Sequence, residues 1–247
     1  MPVETDGRLA RLTALAVGRA AALSAYLSAS SAPDELTGFL YRAGGTAAHP
    51  RTDARWAGAL VDRAVRPHRS ALAAHRRSRT AHWDGWTADD ADPAVLVHKV
   101  YVSPRTPVVA VALERVVAVA TRLGVPSWKV GADPAGLHRA DKVVLYLPSA
   151  HGADAVAQAL ADELADLPAH GVLFSGQVGP TGIVSRGQDH GGQSWRAVVC
   201  RAVALALADA RAADPTATAQ RVAADALASL AADLDVVTWY PGQRVPA

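Results

Sequence analysis

The feature that most constrains this chain is a change of apolar period at Pro93. Before it, apolar residues recur at helical spacing; after it, they gather into short β-branched runs separated by helical stretches and turns. Such a chain reads as α+β, with N-terminal helices followed by a small mixed or antiparallel sheet and its flanking helices. With 247 residues, half of them apolar, it can bury one sizeable core. The expected organisation is a helical region with a basic linker over residues 1–92 and an α+β domain over 93–247, packed as one unit.

Leu12, Leu15, Ala16, Leu23 and Leu27 predict a helix from Leu9 to Ala29, ended by Ser30 to Pro33. A second helix runs from Asp34 to the Gly44-Gly45 doublet, and a third from Thr52 to Ala74 is interrupted by Pro67. Arg66 to His82 collects arginines and histidines with no acidic residue. It reads either as a docking segment for an acidic peptide or nucleic acid, or as a solvated linker. Trp83 to Trp86 reads as a turn. Strands are expected at Val95 to Val102, Pro126 to Ala132 and Lys142 to Leu147, and helices at Pro107 to Leu123 and Ala153 to Leu167. Val172 to Gln177 and Gly182 to Arg186 suggest a hairpin around Gly179-Pro180, and two helices follow at Trp195 to Ala212 and Pro215 to Leu234.

A formal net charge of +2 demands no long-range attraction for a polyanion, and no recognition helix stands out, so nucleic acid is not an expected partner. The single cysteine, Cys200, rules out an intramolecular disulfide and a cysteine-based zinc site and is expected to be a small buried apolar group. No Gly-Lys-Ser/Thr loop or dinucleotide fingerprint is present, nor a histidine cluster; neither cofactor nor metal is expected. No apolar run reaches the roughly 18–20 residues of a membrane span, and Glu4 and Asp6 precede the first helix, so the expectation is a cytoplasmic protein.

Strand alternation sorts the polar residues by face. Lys99 and Tyr101 share a face, His98 points the other way, and Lys142 and Tyr146 share a face of their own strand. If the strands pair, Lys99, Tyr101, Lys129, Lys142 and Tyr146 gather on one side of a sheet. Lysines inside apolar strands either extend their ammonium groups to solvent or serve a function. The glycines between Phe174 and Arg196, interspersed with Arg186 and His190, suit either a phosphate-lined rim or an ordinary flexible loop.

The runs Val97 to Ser103, Trp128 to Asp133, Ala140 to Leu147 and Gly182 to Arg186 resemble, in order and approximate spacing, motifs of the phosphothreonine lyases delivered by type III secretion. Gly136 to Lys142 is similar to the HopA-type effector family, whose relatives include lyases of class V lanthipeptide and thioamide-peptide biosynthesis. The resemblance covers about Val95 to Arg201. It implies β-elimination of phosphate: Lys129 as general base, Lys99, Arg139 and Arg186 as phosphate-binding cations, and Tyr146 as an active-site tyrosine. Lys142 is expected to join the phosphate-binding set. The family's general-acid histidine is replaced here by Tyr101, which becomes the expected acid.

The expected substrate is a phosphorylated precursor peptide, converted to dehydroalanine or dehydrobutyrine after a separate Ser/Thr kinase has acted, since no kinase signature occurs in the chain. The alternative is a non-catalytic protein that holds the phosphopeptide or the leader for a kinase.

Overall fold

The computed structural model describes residues 8–44, 54–190, 192–231, 234, 235 and 239. The expected helix start at Thr52, and Glu4, Asp6, Gly45, Gly191, Ala232 and Asp233, lie outside them. The elements in chain order are α1 (Arg8–Leu23), α2 (Ala32–Arg42), α3 (Ala54–Val65), β1 (His75–Arg79), β2 (Trp83–Ala88), β3 (His98–Val102), α4 (Val109–Arg122), β4 (Ser127–Gly131), α5 (Pro134–His138), β5 (Val143–Leu147), α6 (Ala150–Glu163), β6 (Gly176–Val178), β7 (Val184–Gln188), α7 (Trp195–Ala213) and α8 (Ala219–Leu230). The expected α+β class is the one observed. Among the described residues, no helix is long and apolar enough to cross a membrane.

The strands form a seven-stranded sheet in the order β1-β2-β4-β5-β3-β7-β6. Pairings of β1 with β2, β2 with β4, β4 with β5 and β5 with β3 are antiparallel. The chain divides into two compact units, one of residues 1–44, 173–176 and 187–247, the other of 45–172 and 177–186. The boundary expected between residues 92 and 93 falls inside the second unit.

The reason lies in β1 and β2, which replace the expected linker and turn. β1, His-Arg-Arg-Ser-Arg, has no apolar alternation to betray a strand, and its residues from Arg76 to Arg79 are exposed. Its pairing is fixed by its neighbour instead. Arg77 lies directly across from Trp86, stacks over that ring at 4.9 Å, and grips the fully buried Asp84 of β2 with bonds of 2.8 and 2.5 Å. A buried carboxylate needs such a partner. The pair also holds the guanidinium firmly protonated, Asp84 being the main cause.

One face of the sheet carries the core of this unit. Val100, Val102, Trp128, Val130, Val143, Leu145 and Leu147 point to it, and α3, α4 and α6 cover it with Ala57, Val61, Leu113, Val116, Val156 and Leu160. The apolar residues of α4 and α6 recur at three- and four-residue spacing, which turns one stripe of each helix toward the sheet. Trp86 and Trp128, directly opposite across β2 and β4, stack with centroids 4.2 Å apart and planes at 12°. Such a pair adds about 0.5–1.5 kcal/mol beyond the area it buries. Pro67, lacking an N–H, ends the third helix in a short turn of tighter helix at Arg66–His68, well before the expected Ala74.

In the other unit, α1, α2, α7 and α8 pack around Leu36, Leu40, Phe174, Trp195 and Val203. Arg196, at the end of the glycine-rich segment that suits either a phosphate-lined rim or an ordinary loop, is buried and donates to the carbonyls of Leu173 and Tyr41 at 3.1 and 3.0 Å. Its role there is to satisfy backbone groups. Cys200 is buried in α7, and burial pushes its thiol up to about 12.

Candidate active site

The face of the sheet opposite the helices carries the polar cluster. Register places Lys99 of β3 opposite Tyr146 of β5, Tyr101 opposite Val144, and Val144 in turn opposite Lys129 of β4. These residues therefore project from one face, as the alternation predicts, and His98 lies with Val100 and Val102 on the other. Burial of the His98 imidazole pulls its pKa below the ordinary value. Tyr101 and Val144 are buried together with Val172, and Trp83 and Tyr146 pack against them.

The cations of this face are organised by aromatic rings. Lys129 Nζ lies 4.3 Å from the Trp83 centroid and 5.5 Å from that of Tyr146, while Lys99 Nζ lies 5.2 Å from Tyr146. The Arg139 guanidinium stands 5.4 Å from Trp83. Each such contact is worth about 0.5–2 kcal/mol, the larger values where water is excluded. Gly85 is the cross-strand partner of Lys129. With no side chain there, the lysine stem has room to lean toward Trp83 two pairs further along.

Arg139 is held by Asp141 through bonds of 2.8 and 3.1 Å, and α5 sets where that arginine begins. Asp133 caps α5 by accepting from the Gly136 N–H at 2.6 Å and also contacts His82 Nδ1 at 2.8 Å. Gly136 and Gly131 touch backbone to backbone: a Cβ on Gly131 would come within 2.4 Å of the Gly136 carbonyl carbon. Only glycines permit this approach.

Lys142 stands apart from the other cations. It lies just before β5, two residues from Val144 and so on the same side by alternation, with its carbonyl accepting from the Gly131 N–H at 2.9 Å. Its side chain is fully buried, 0% exposed, and Nζ is 3.0 Å from His170 Nδ1. Burial pulls its ammonium down to about 7, against the opposing pull of Asp141. Arg186, expected among the phosphate ligands, is ion-paired with Asp154 of α6, the helix that covers the opposite face. The structure thus brings Lys99, Tyr101, Lys129, Tyr146 and Lys142 to one face with Arg139 at its edge, and ties Arg186 to a helix of the other layer.

Two residues of this face were not singled out from sequence. Trp83 was read as part of a turn; its signal was the two-residue spacing that separates it from Gly85 on one face and pairs Trp86 with Asp84 on the other. His170 sits in a loop between Pro168 and Gly171, where no periodicity marks a side chain's direction.

No protein-family model matches this chain, and comparison with curated proteins finds no sequence match. Among solved structures, the effector protein from Pseudomonas syringae pv. tomato strain DC3000 superposes with a TM-score of 0.56 at 12% identity, over 97% of this chain and 100% of that one. The effector protein from Pseudomonas syringae pv. syringae strain 61 gives 0.47 at 14% identity, over 96% and 100%. The type III effector/phosphothreonine lyase OspF from Shigella flexneri gives 0.39 at 10% identity, over 46% and 69%. The first of these likenesses shows the class: an α+β protein with the fold of that effector, along nearly its whole length.

Proposed function

We propose that this protein is a lyase that eliminates phosphate from phosphoserine or phosphothreonine in a peptide, leaving dehydroalanine or dehydrobutyrine. The observation that carries the reading is the gathering of Lys99, Lys129 and Arg139 around Trp83 and Tyr146 on one sheet face. A phosphomonoester brings about −1.5 to −2 charges, and clustered cations both bind it and stabilise it as it departs. Lys129 takes the α-proton as general base, and Lys99 and Arg139 hold the phosphate. An ammonium suits point contact and a guanidinium suits two-point contact. Tyr146 sets the distance between the two lysines by standing between them.

The motif resemblance supports the same roles and extends them to the substrate: a ribosomal precursor peptide, phosphorylated by a separate Ser/Thr kinase. The edge strand β1, with its exposed arginines, is the surface we assign to an acidic part of that peptide.

The test is incubation of the purified protein with phosphoserine and phosphothreonine peptides, read by mass spectrometry for loss of phosphoric acid. Conversion in the wild type and its loss in Lys129→Arg support the lyase. Tight phosphopeptide binding without conversion, even with the kinase added, identifies a binding partner instead and overturns the reading.

A further inference from the structure

Lys142, fully buried, and His170, half-buried, form a pair that the mechanism above leaves unused. We infer that His170, fed through Nδ1 by the Lys142 ammonium, is the proton donor to the departing phosphate; this rests on the elimination reading above. Lys142 has no exposed surface and cannot itself meet a substrate. His170 is only half-buried, and its Nδ1 lies 3.0 Å from the buried amine. The loop that carries it is pinned to the end of β3: the Ser103 carbonyl accepts from the N–H groups of His170 and Gly171 at 2.8 and 3.2 Å, and Ala169 bridges Pro104. Two residues further, Val172 packs on Tyr101 and Val144.

Lys142, just before β5, lies two residues from Val144, about 7 Å at strand spacing. Val144 is the position flanked by Tyr101 and Lys129. The backbone of Lys142, whose ammonium meets the imidazole, therefore lies one same-face step along the strand from the position that the base flanks. The titratable groups nearby along the strands are Asp141 beside Lys142, Tyr101 and Lys129, which flank Val144 two residues along, and Arg139, which is paired with Asp141. Tyr101, 2% exposed and packed under Val144 and Val172, is the more enclosed of the two possible donors.

The step balances as a relay. Neutral Lys129 takes the α-proton, and the C–H electron pair becomes the Cα–Cβ double bond. The Cβ–O bond breaks with its pair on the phosphate oxygen, which takes the proton from His170 Nε2. Lys142 passes a proton to Nδ1 in the same event. The pair begins with one positive charge and ends neutral, while Lys129 ends as the ammonium; solvent resets both. No oxidant or further reactant is needed. His170 is the catalytic residue, and Lys142, acting through it, is a positioning residue and proton source.

The experiment uses the full chain with a phosphoserine peptide and measures kcat and KM for His170→Gln, Lys142→Met and the double variant. A lost general acid removes about 10²–10⁴ in rate. Each single variant is expected to lower kcat at least about a hundredfold with KM within twofold, and the double variant is expected to be no slower than the worse single one, because the two residues act as one relay. Lys142→Met keeps an apolar chain of similar length in the buried position and serves if His170→Gln does not fold. Overturning results are a kcat within threefold of wild type in either folded variant, losses that multiply in the double variant, or losses carried by KM. A Tyr101→Phe enzyme that has lost the step while His170→Gln retains it returns the proton to Tyr101 and overturns the inference alone. A wild type that releases no phosphate removes the elimination reading and this inference with it.

Discussion

Lys129 leans over Trp83, its ammonium 4.3 Å from the ring centroid, and Gly85 across the strand pair leaves the room for it. The lysine is therefore held in one direction while the residue stays partly exposed. Lys129→Arg preserves charge and stacking yet cannot act as a base near neutral pH. The expected outcome is loss of elimination with phosphopeptide affinity, measured by calorimetry, within about threefold of wild type. A variant that converts phosphopeptide at near wild-type rate would sink Lys129 as the base.

Two glycines should respond to alanine with opposite signs. At Gly131 the new Cβ meets the Gly136 backbone at 2.4 Å, so α5 must move and carry Arg139 with it. Gly131→Ala is expected to destabilise by about 1–3 kcal/mol and to weaken phosphopeptide binding. At Gly18, inside α1, a Cβ meets nothing within 4 Å. Gly18→Ala is expected to stabilise by about 0.5–1 kcal/mol. Urea unfolding of both variants checks the pair; equal effects would contradict the close backbone contact.

Removing Arg77 strands the buried carboxylate of Asp84. Arg77 is itself partly exposed, so water can partly replace it. The expected loss is about 1.5–3 kcal/mol for Arg77→Ala, the range for a hydrogen bond to a charged group. The double variant Arg77→Leu with Asp84→Leu should recover part of it, since an apolar pair leaves no uncompensated charge. A silent Arg77→Ala would show that β1 does not depend on this pair.

Lys142 makes stability depend on pH in a direction that can be stated in advance. In the folded protein burial pulls it down to about 7 from the ordinary 10.5. Below pH 7 both folded and unfolded chains hold the proton, and the folded state bears the full penalty of a buried ammonium. Between 7 and 10.5 the unfolded chain holds a proton that the folded one has released, so stability rises with pH, by at most about 1.4 kcal/mol per unit. Lys142→Met lacks this slope. The difference in unfolding free energy between wild type and Lys142→Met, followed from pH 6.5 to 9.5, is expected to move in favour of wild type as pH rises; a flat difference would contradict the buried ammonium.

The sequence alone was enough to place Lys99 with Tyr101 and Lys142 with Tyr146 on one face of their own strands and His98 on the other face of its strand, while the pairing that joins them with Lys129 came from the register of β3, β5 and β4. Alternation along a strand is local covalent geometry, and it holds whatever the rest of the chain does. The helices were legible for the same reason: α4 and α6 carry their own apolar stripe. Tertiary structure decided everything that depends on distant partners. β1 is a strand because Asp84 and Trp86 receive Arg77, and not because its own residues favour one. Arg186, a phosphate ligand by motif resemblance, is ion-paired with Asp154 on a helix 32 residues earlier, a contact that its own strand does not announce. The pairing of Lys142 with His170 joins residues 28 apart through a loop without periodicity, and no local rule could have brought them together. Burial then gave that lysine a proton affinity near neutrality, because desolvation is a property of the packed interior and is carried by no single residue.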